Sequence, residues 1–123
     1  MDKELLLQLH AEIIAETGGI AGLRSEELLE SALARPINRY AYEGLDDLIE
    51  LAATYAVAVS SNHPFLDGNK RAAFVCLGQF LSDNGLDLIA QSDDATDIML
   101  RVAAGEVGVA ELAAWISANS GPA

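Results

Sequence analysis

Residues 62–71 read NHPFLDGNKR and concentrate several side chains that could carry out chemistry. On either side stand LIELAATYAVAVSS and AAFVCLGQFL, which are almost wholly apolar or small and predict two core helices. A connection between two helices needs only one cap and one glycine. This connection also holds a possible base, a carboxylate, an amide and two cations: His63, Asp67, Asn69, Lys70 and Arg71. Their combination indicates a functional site.

The second half of the stretch is typical of an anion site. Gly68, Asn69 and Lys70 lie at the predicted start of a helix, where backbone N–H groups are unpaired and the helix dipole attracts negative charge. The glycine lets a phosphate approach the backbone closely. Lys70 and Arg71 add full charge, and the guanidinium fork suits phosphate oxygens.

The first half supplies the remaining parts. Asp67 is a hard oxygen ligand that could hold Mg²⁺ together with phosphate oxygens. His63 ends the preceding helix, and a neutral imidazole can accept a proton from an attacking hydroxyl. Base, metal ligand, anion site and cations together predict phosphoryl or nucleotidyl transfer. Two structural alternatives stay open: Asp67 could simply cap the next helix, and Phe65 should anchor the loop in the core.

The composition limits the possible functions. The chain has 123 residues, of which 51% are hydrophobic, so we expect one domain, 1–123, with a core of its own. A net charge of −12 argues against direct binding to nucleic-acid phosphates. Because only seven residues are Lys or Arg, the adjacent Lys70 and Arg71 mark where an anion would be drawn.

No secretory signal and no membrane span is visible, since no uncharged apolar run approaches the roughly 20 residues that a span requires. We therefore expect a cytoplasmic protein. The single cysteine, Cys76, lies in an apolar run and is predicted to be a buried, inert thiol.

The helix-forming composition and apolar periodicity predict an all-α fold of about six helices, with the candidate loop between the two central ones. The predicted helices cover residues 3–16, Ser25 to just before Pro36, Asp46 or Asp47 to about Asn62, about Gly68 to Asp83, Ser92 (as cap) to Gly105, and about Val109 to Ala118. A loop is predicted at INRYAYEG, a short extended piece at LDLIA and a frayed tail at NSGPA.

Four residues of chemical interest lie outside the candidate loop. His10 is predicted to be structural or solvent-facing, since it lies in mid-helix beside the apolar stripe. Arg39, Tyr40 and Tyr42 fall in the predicted loop before the third helix and could border a cleft, and the sequence does not assign them a role.

The stretch HPFLDGNKR resembles the Fic/Doc signature, and in particular the pattern HxFx[DN][AG]NKR of the Doc (death-on-curing) toxin branch. The segments GGIAGLRSEELLESALARP, LSDNGLDLI and AAGEVGVAELAAWI are similar to Doc toxins in order and spacing, so the resemblance covers nearly the whole chain. It implies a single-domain Fic/Doc fold and the toxin of a toxin–antitoxin system. Such a toxin uses ATP to phosphorylate a threonine of elongation factor Tu and so inhibits translation. The resemblance also implies His63 as the base, Asp67 as the Mg²⁺ ligand, and the residues from Gly68 to Arg71 around the phosphates.

Two positions depart from the AMP-transferring Fic pattern HxFx[DE]GNGRxxR. Lys70 stands at its second glycine and Phe74 at its last arginine, and both departures favour transfer of the terminal phosphate. The alternatives are an AMP transferase and a non-catalytic module that binds an antitoxin. The inhibitory pattern [ST]xxxE[GN] is absent, since Arg39 stands four residues before Glu43-Gly44. The resemblance therefore implies an antitoxin that acts in trans through its C-terminal segment.

Overall fold

The computed structural model describes residues 1–123 and consists of six helices and two short strands. In chain order they are α1 (Lys3–Thr17), α2 (Glu26–Glu43), α3 (Leu48–Asn62), α4 (Asn69–Asp83), β1 (Leu86–Leu88), α5 (Ser92–Ala103), α6 (Val109–Ala118) and β2 (Ser120–Pro122). The predicted all-α class with six helices is confirmed, and the strands add one small antiparallel sheet. None of the helices has the length and apolarity needed to cross a membrane.

Helix α3 is the centre of the molecule and packs against α2, α4 and α6. It begins at Asp47, whose side chain accepts hydrogen bonds from the backbone N–H groups of Ile49 and Glu50. Its buried face is rich in alanine, which lets the neighbouring helices approach closely. One hydrophobic cluster of 22 buried residues includes members from all six helices. The candidate loop therefore joins two helices that are both fixed by the core.

The prediction that the second helix ends before Pro36 is wrong, and so is the loop predicted at INRYAYEG. Helix α2 continues through Pro36, and its C-cap is Gly44 in the left-handed conformation. An interior proline costs about 3 kcal/mol in helix propensity. Pro36 is fully buried, and beyond it Arg39 donates hydrogen bonds to Thr54 and Glu50 on α3. This tertiary packing offsets the local cost.

Two boundaries near the C-terminus also differ from the predictions. The tail is not frayed, since Ser120–Pro122 pairs antiparallel with the predicted extended piece at Leu86–Leu88. Ser92 is the first residue of α5 rather than its cap, and Gln91 takes the N-cap position without a side-chain hydrogen bond. The strand pairing joins segments that are distant in the chain, which local sequence signals do not report.

Candidate active site

His63 ends α3 in a left-handed conformation, with φ 52° and ψ 55°, and is the only non-glycine residue with a positive φ. This conformation costs an L-residue roughly 1–2 kcal/mol. The turn is held by the backbone N–H of His63, which donates to the carbonyl of Val59 at 3.1 Å. Pro64 follows and cannot continue the helix. The strained turn leaves the imidazole exposed at the entrance of the loop.

Arg24 holds the end of α3 from outside. Its Nε donates to the His63 carbonyl at 2.8 Å, and its Nη2 donates to the Asn62 carbonyl at 2.9 Å. The Pro64 carbonyl accepts from the backbone N–H groups of Arg24 and Ser25 at 2.7 and 3.1 Å. A cation suits the negative end of a helix dipole. Sequence reasoning did not assign Arg24 a role, and the only signal available was the scarcity of cations.

Asn69 locks the inside of the loop. The residue is 6% exposed; Oδ1 accepts from Phe65 N–H, and Nδ2 donates to the Phe65 carbonyl, both at 2.9 Å. Nδ2 also donates to His63 Nδ1 at 3.1 Å. Because Oδ1 is fixed by Phe65, Nδ1 of His63 accepts and the neutral ring carries its proton on Nε2. The predicted anchor Phe65 is confirmed as fully buried, and Asn69 can offer a ligand only its backbone N–H.

Asp67 is held by two backbone N–H groups. Its Oδ1 accepts from Gly68 at 2.9 Å, and its Oδ2 accepts from Ile20, in the α1–α2 connection, at 3.2 Å. The alternative in which Asp67 caps α4 is wrong, because Gly68 occupies the N-cap position in the left-handed conformation. The hydrogen bonds from Ile20 and Gly68, helped by the charge of Arg71, lower the pKa of Asp67 below its usual 3.8. The exposed carboxylate is therefore charged and fixed in direction.

The first turn of α4 offers unused donors and unused charge together. The backbone N–H groups of Asn69, Lys70 and Arg71 donate to no acceptor within the protein. Lys70 and Arg71 are also the two cations, out of seven, that make neither an ion pair nor a side-chain hydrogen bond. Unpaired N–H groups and unneutralised cations at a helix N-terminus form a strong anion-binding arrangement.

One cleft of about 450 Å³ brings the predicted residues together. It is lined by Ser60, His63, Leu66, Asp67, Gly68, Asn69, Lys70, Arg71 and Ala103. All of the predicted site residues thus share one surface, although Asn69 contributes only backbone. Ser60 and Ala103 were not predicted at the site, because neither residue type indicates a function by itself. Ala103 also belongs to α5, which is distant from the loop in the sequence.

A larger groove of about 770 Å³ adjoins the cleft and shares Lys70 and Arg71 with it. The groove lies between α1, α4, β1 and α5, and its apolar walls include Ile13, Phe74, Val75, Leu88 and Met99. Phe74 therefore presents an aromatic ring beside the two free cations.

The donors at the cleft suit a metal that arrives with a nucleotide. No group of three or more His, Cys, Asp or Glu side chains could hold an ion by itself. Asp67 offers one fixed carboxylate, and Mg²⁺ is commonly held by one or two carboxylates together with substrate phosphates. The residues present therefore fit Mg²⁺, which Asp67 would hold together with phosphate oxygens of a nucleotide.

The other residues singled out in the sequence lie away from the cleft. Tyr40 and Tyr42 are exposed on the last turns of α2, and neither lines the cleft or the groove. Arg39 is structural, through its hydrogen bonds to α3. Cys76 is buried as predicted, and burial raises the pKa of its thiol to about 12, so it is inert at neutral pH.

His10 is 3% exposed, which confirms the structural alternative for this residue. Its Nε2 lies 2.7 Å from the carbonyl oxygen of Asp67, and its ring stacks on Phe65 with centroids 3.8 Å apart. The histidine of α1 thus supports the loop from below.

Comparison with known proteins adds three matches. The family model described as "Fic/DOC family" matches residues 1–81. The chain is 36% identical over 110 residues to "Protein kinase doc" of Escherichia phage P1, covering 89% of this chain and 86% of that protein. It is 34% identical over 103 residues to "Toxin Doc" of Mycolicibacterium smegmatis, covering 81% of this chain and 79% of that protein.

Proposed function

Because the chain belongs to the Fic/DOC family, we propose that it is a toxin that uses ATP to phosphorylate a threonine of elongation factor Tu and so inhibits translation in the cytoplasm. The observation that carries the proposal is the set of free donors and free cations at the start of α4, beside the exposed His63. The names of both relatives, a protein kinase and a toxin, support it.

The first turn of α4 binds the phosphate that is transferred. The backbone N–H groups of residues 69–71 donate to its oxygens without any rearrangement, because none of them has a partner to lose. Arg71 adds a two-pronged contact and Lys70 a point charge. These groups stabilise the charge that spreads over the phosphoryl oxygens during transfer.

His63 takes the proton of the attacking hydroxyl. In the resting ring the proton lies on Nε2, because Nδ1 accepts from Asn69. Acceptance of a proton at Nε2 requires the tautomer with its proton on Nδ1, in which the hydrogen bond from Asn69 is lost. Asp67 would hold Mg²⁺, and the ion would neutralise phosphate charge.

Lys70 and Phe74 favour transfer of the terminal phosphate. In the AMP-transferring pattern a second glycine and a last arginine hold the β- and γ-phosphates. In this chain Lys70 replaces that glycine, and Phe74 replaces that arginine. The Phe74 ring forms part of an apolar wall and cannot pair with a triphosphate end. The orientation with the γ-phosphate on α4 and against His63 needs neither missing group.

The test incubates the chain and purified elongation factor Tu with Mg-ATP labelled at either the α- or the γ-phosphate. We expect γ label on a threonine and no α label. His63→Asn is the control, because asparagine tolerates the left-handed backbone and lacks the imidazole. Transfer of the α label would instead establish the AMP transferase. No transfer, with no thermal stabilisation by Mg-ATP, would establish the non-catalytic module.

We also propose that a separate antitoxin restrains the chain by laying its C-terminal segment in the larger groove. The apolar walls suit an amphipathic segment, and the free cations Lys70 and Arg71 lie at one end. Gly78 lines this groove, and a Cβ added there meets no atom within 4 Å. Gly78→Leu should therefore fill the groove without disturbing the core.

The experiment measures binding of the antitoxin to Gly78→Leu, with Gly78→Ala as the small-side-chain control. We expect Gly78→Leu to weaken binding about tenfold or more and Gly78→Ala to leave it nearly unchanged, while phosphotransfer continues in both variants. Equal affinity of the two variants would place the antitoxin elsewhere.

A further inference from the structure

His10 makes a single side-chain hydrogen bond, and that bond reaches the candidate metal ligand. The Asp67 carbonyl can only accept, so His10 Nε2–H donates to it, at 2.7 Å. The two residues are 57 positions apart, and His10 is 3% exposed. Because this donor is buried and has one partner, it fixes the direction of the Asp67 carbonyl.

The peptide unit between Asp67 and Gly68 passes this constraint on to the carboxylate. Its carbonyl accepts from His10, and its N–H, which belongs to Gly68, donates to Asp67 Oδ1 at 2.9 Å. A peptide unit is planar, so fixing the carbonyl also fixes the direction of the N–H. The orientation of the carboxylate therefore depends on a hydrogen bond made by α1.

Packing around the same peptide unit leaves little room for another arrangement. The His10 ring lies against Phe65 with an interplanar angle of 11°, and Phe65 is fully buried. A Cβ added to Gly68 would come within 3.2 Å of Ile14 and 3.4 Å of His10 Nε2. Helix α1 thus lies directly beneath the loop.

We propose that His10 is a positioning residue. It holds the Asp67–Gly68 peptide so that the Asp67 carboxylate faces the cleft, where metal and phosphate would bind. The proposal rests on the function proposed above. His10 touches neither substrate nor metal and acts only through this peptide. Groups that orient a metal ligand typically contribute about 10–100-fold to metal affinity.

The test compares His10→Gln with His10→Met. Both side chains are unbranched and of similar length, and both lose the stack on Phe65, but only glutamine can donate to the Asp67 carbonyl. The first measurement is hydrogen exchange of the Gly68 amide in the protein without nucleotide. We expect exchange about tenfold faster in His10→Met than in His10→Gln, as the loss of one hydrogen bond predicts, with equal exchange along α3.

The second measurement is the affinity for the ATP analogue AMP-PNP with and without Mg²⁺, by calorimetry. We expect the gain from Mg²⁺ to fall about tenfold in His10→Met and to be restored in His10→Gln. Should both variants unfold, His10→Phe, which keeps the stack without the donor, takes the place of His10→Met against the parent chain.

The positioning role of His10 and the metal role of Asp67 can be tested separately. Equal Gly68 exchange with and without the donor would overturn the positioning role of His10, whatever the nucleotide does. An Asp67→Asn variant whose gain from Mg²⁺ equals that of the parent would overturn the metal role proposed for Asp67, and the Gly68 exchange would still decide the role of His10.

Discussion

The loop between α3 and α4 has an outer side and an inner side, and the two are built differently. On the outer side His63, Lys70 and Arg71 face the cleft, and the two cations have no partner in the protein. On the inner side Phe65 and Asn69 are buried, and both polar atoms of the Asn69 side-chain amide are used. The polar groups of the outer side remain available to a ligand. Those of the inner side form hydrogen bonds that fix the loop.

This difference teaches which variants report on chemistry and which report on structure. Groups that are already satisfied cannot bind a substrate, and unsatisfied exposed groups contribute little to stability. Substitutions on the outer side should therefore lower activity without lowering stability, and substitutions on the inner side should lower stability first.

The largest effect is expected at His63. We predict that His63→Gly lowers phosphotransfer about 10²–10⁴-fold and raises stability by about 1 kcal/mol, because glycine adopts φ 52° without strain. Single-turnover transfer and urea unfolding measure the two quantities. A variant that is both inactive and less stable would show that His63 belongs to the inner side.

Asn69→Ala should be the most destabilising substitution of a polar side chain in the loop. It leaves the Phe65 N–H and carbonyl unpaired in a buried place, at a cost of about 2–4 kcal/mol. Asn84→Ala is the matched control, since Asn84 is exposed at the other end of α4 and its side chain donates one hydrogen bond, to Phe80. In thermal unfolding, Asn69→Ala should melt at a clearly lower temperature than Asn84→Ala. Equal melting temperatures would show that the hydrogen bonds of Asn69 do not stabilise the loop.

Gly19→Ala should have a smaller effect, directed at Asp67. A Cβ at Gly19 would lie 2.6 Å from Asp67 Oδ2, whereas one at Gly18 meets nothing within 4 Å. Both glycines have a positive φ, so Gly18→Ala controls for backbone strain. We expect a several-fold higher Mg²⁺ requirement for transfer only in Gly19→Ala. The same requirement in both variants would mean that strain alone is responsible.

The smallest effect concerns the titration of Asp67. Hydrogen bonds from Ile20 and Gly68 hold its pKa below 3.8, so Gly19→Ala, which displaces the carboxylate, should raise the pKa. Because the folded-state pKa is lowered, any contribution to stability is present above pH 3.8 and is lost as the pH falls through the folded value. The carboxylate is exposed, so acid unfolding of Asp67→Asn should follow the parent. Carbon-detected NMR titration measures the pKa.

The outer side could be predicted from the sequence because it is contiguous. The residues from His63 to Arg71 follow one another along a loop and the first turn of a helix, so their types and spacing place them together. The cap at Asp47 and the helix bounds of α6 also follow local rules.

Apart from the burial of Phe65, the contacts that fix the loop could not be predicted, because their partners are distant in the chain. His10 and Arg24 reach the loop from 57 and 39 residues away, and nothing in their neighbourhoods says which carbonyl they meet. The passage of α2 through Pro36 has the same origin, since tertiary burial overrides a local penalty. Asn69 was predicted at the phosphates through its backbone N–H, and no local signal shows that its side chain bonds to Phe65.

The left-handed backbone at His63 has a consequence for how this gene would change under selection. Glycine at this position relieves the strain and removes the imidazole. Selection for a more stable protein and selection for catalysis therefore favour different residues at position 63. Growth without the antitoxin would select any inactive variant, at His63 or at Asn69, and only those at His63 should still accumulate as folded protein.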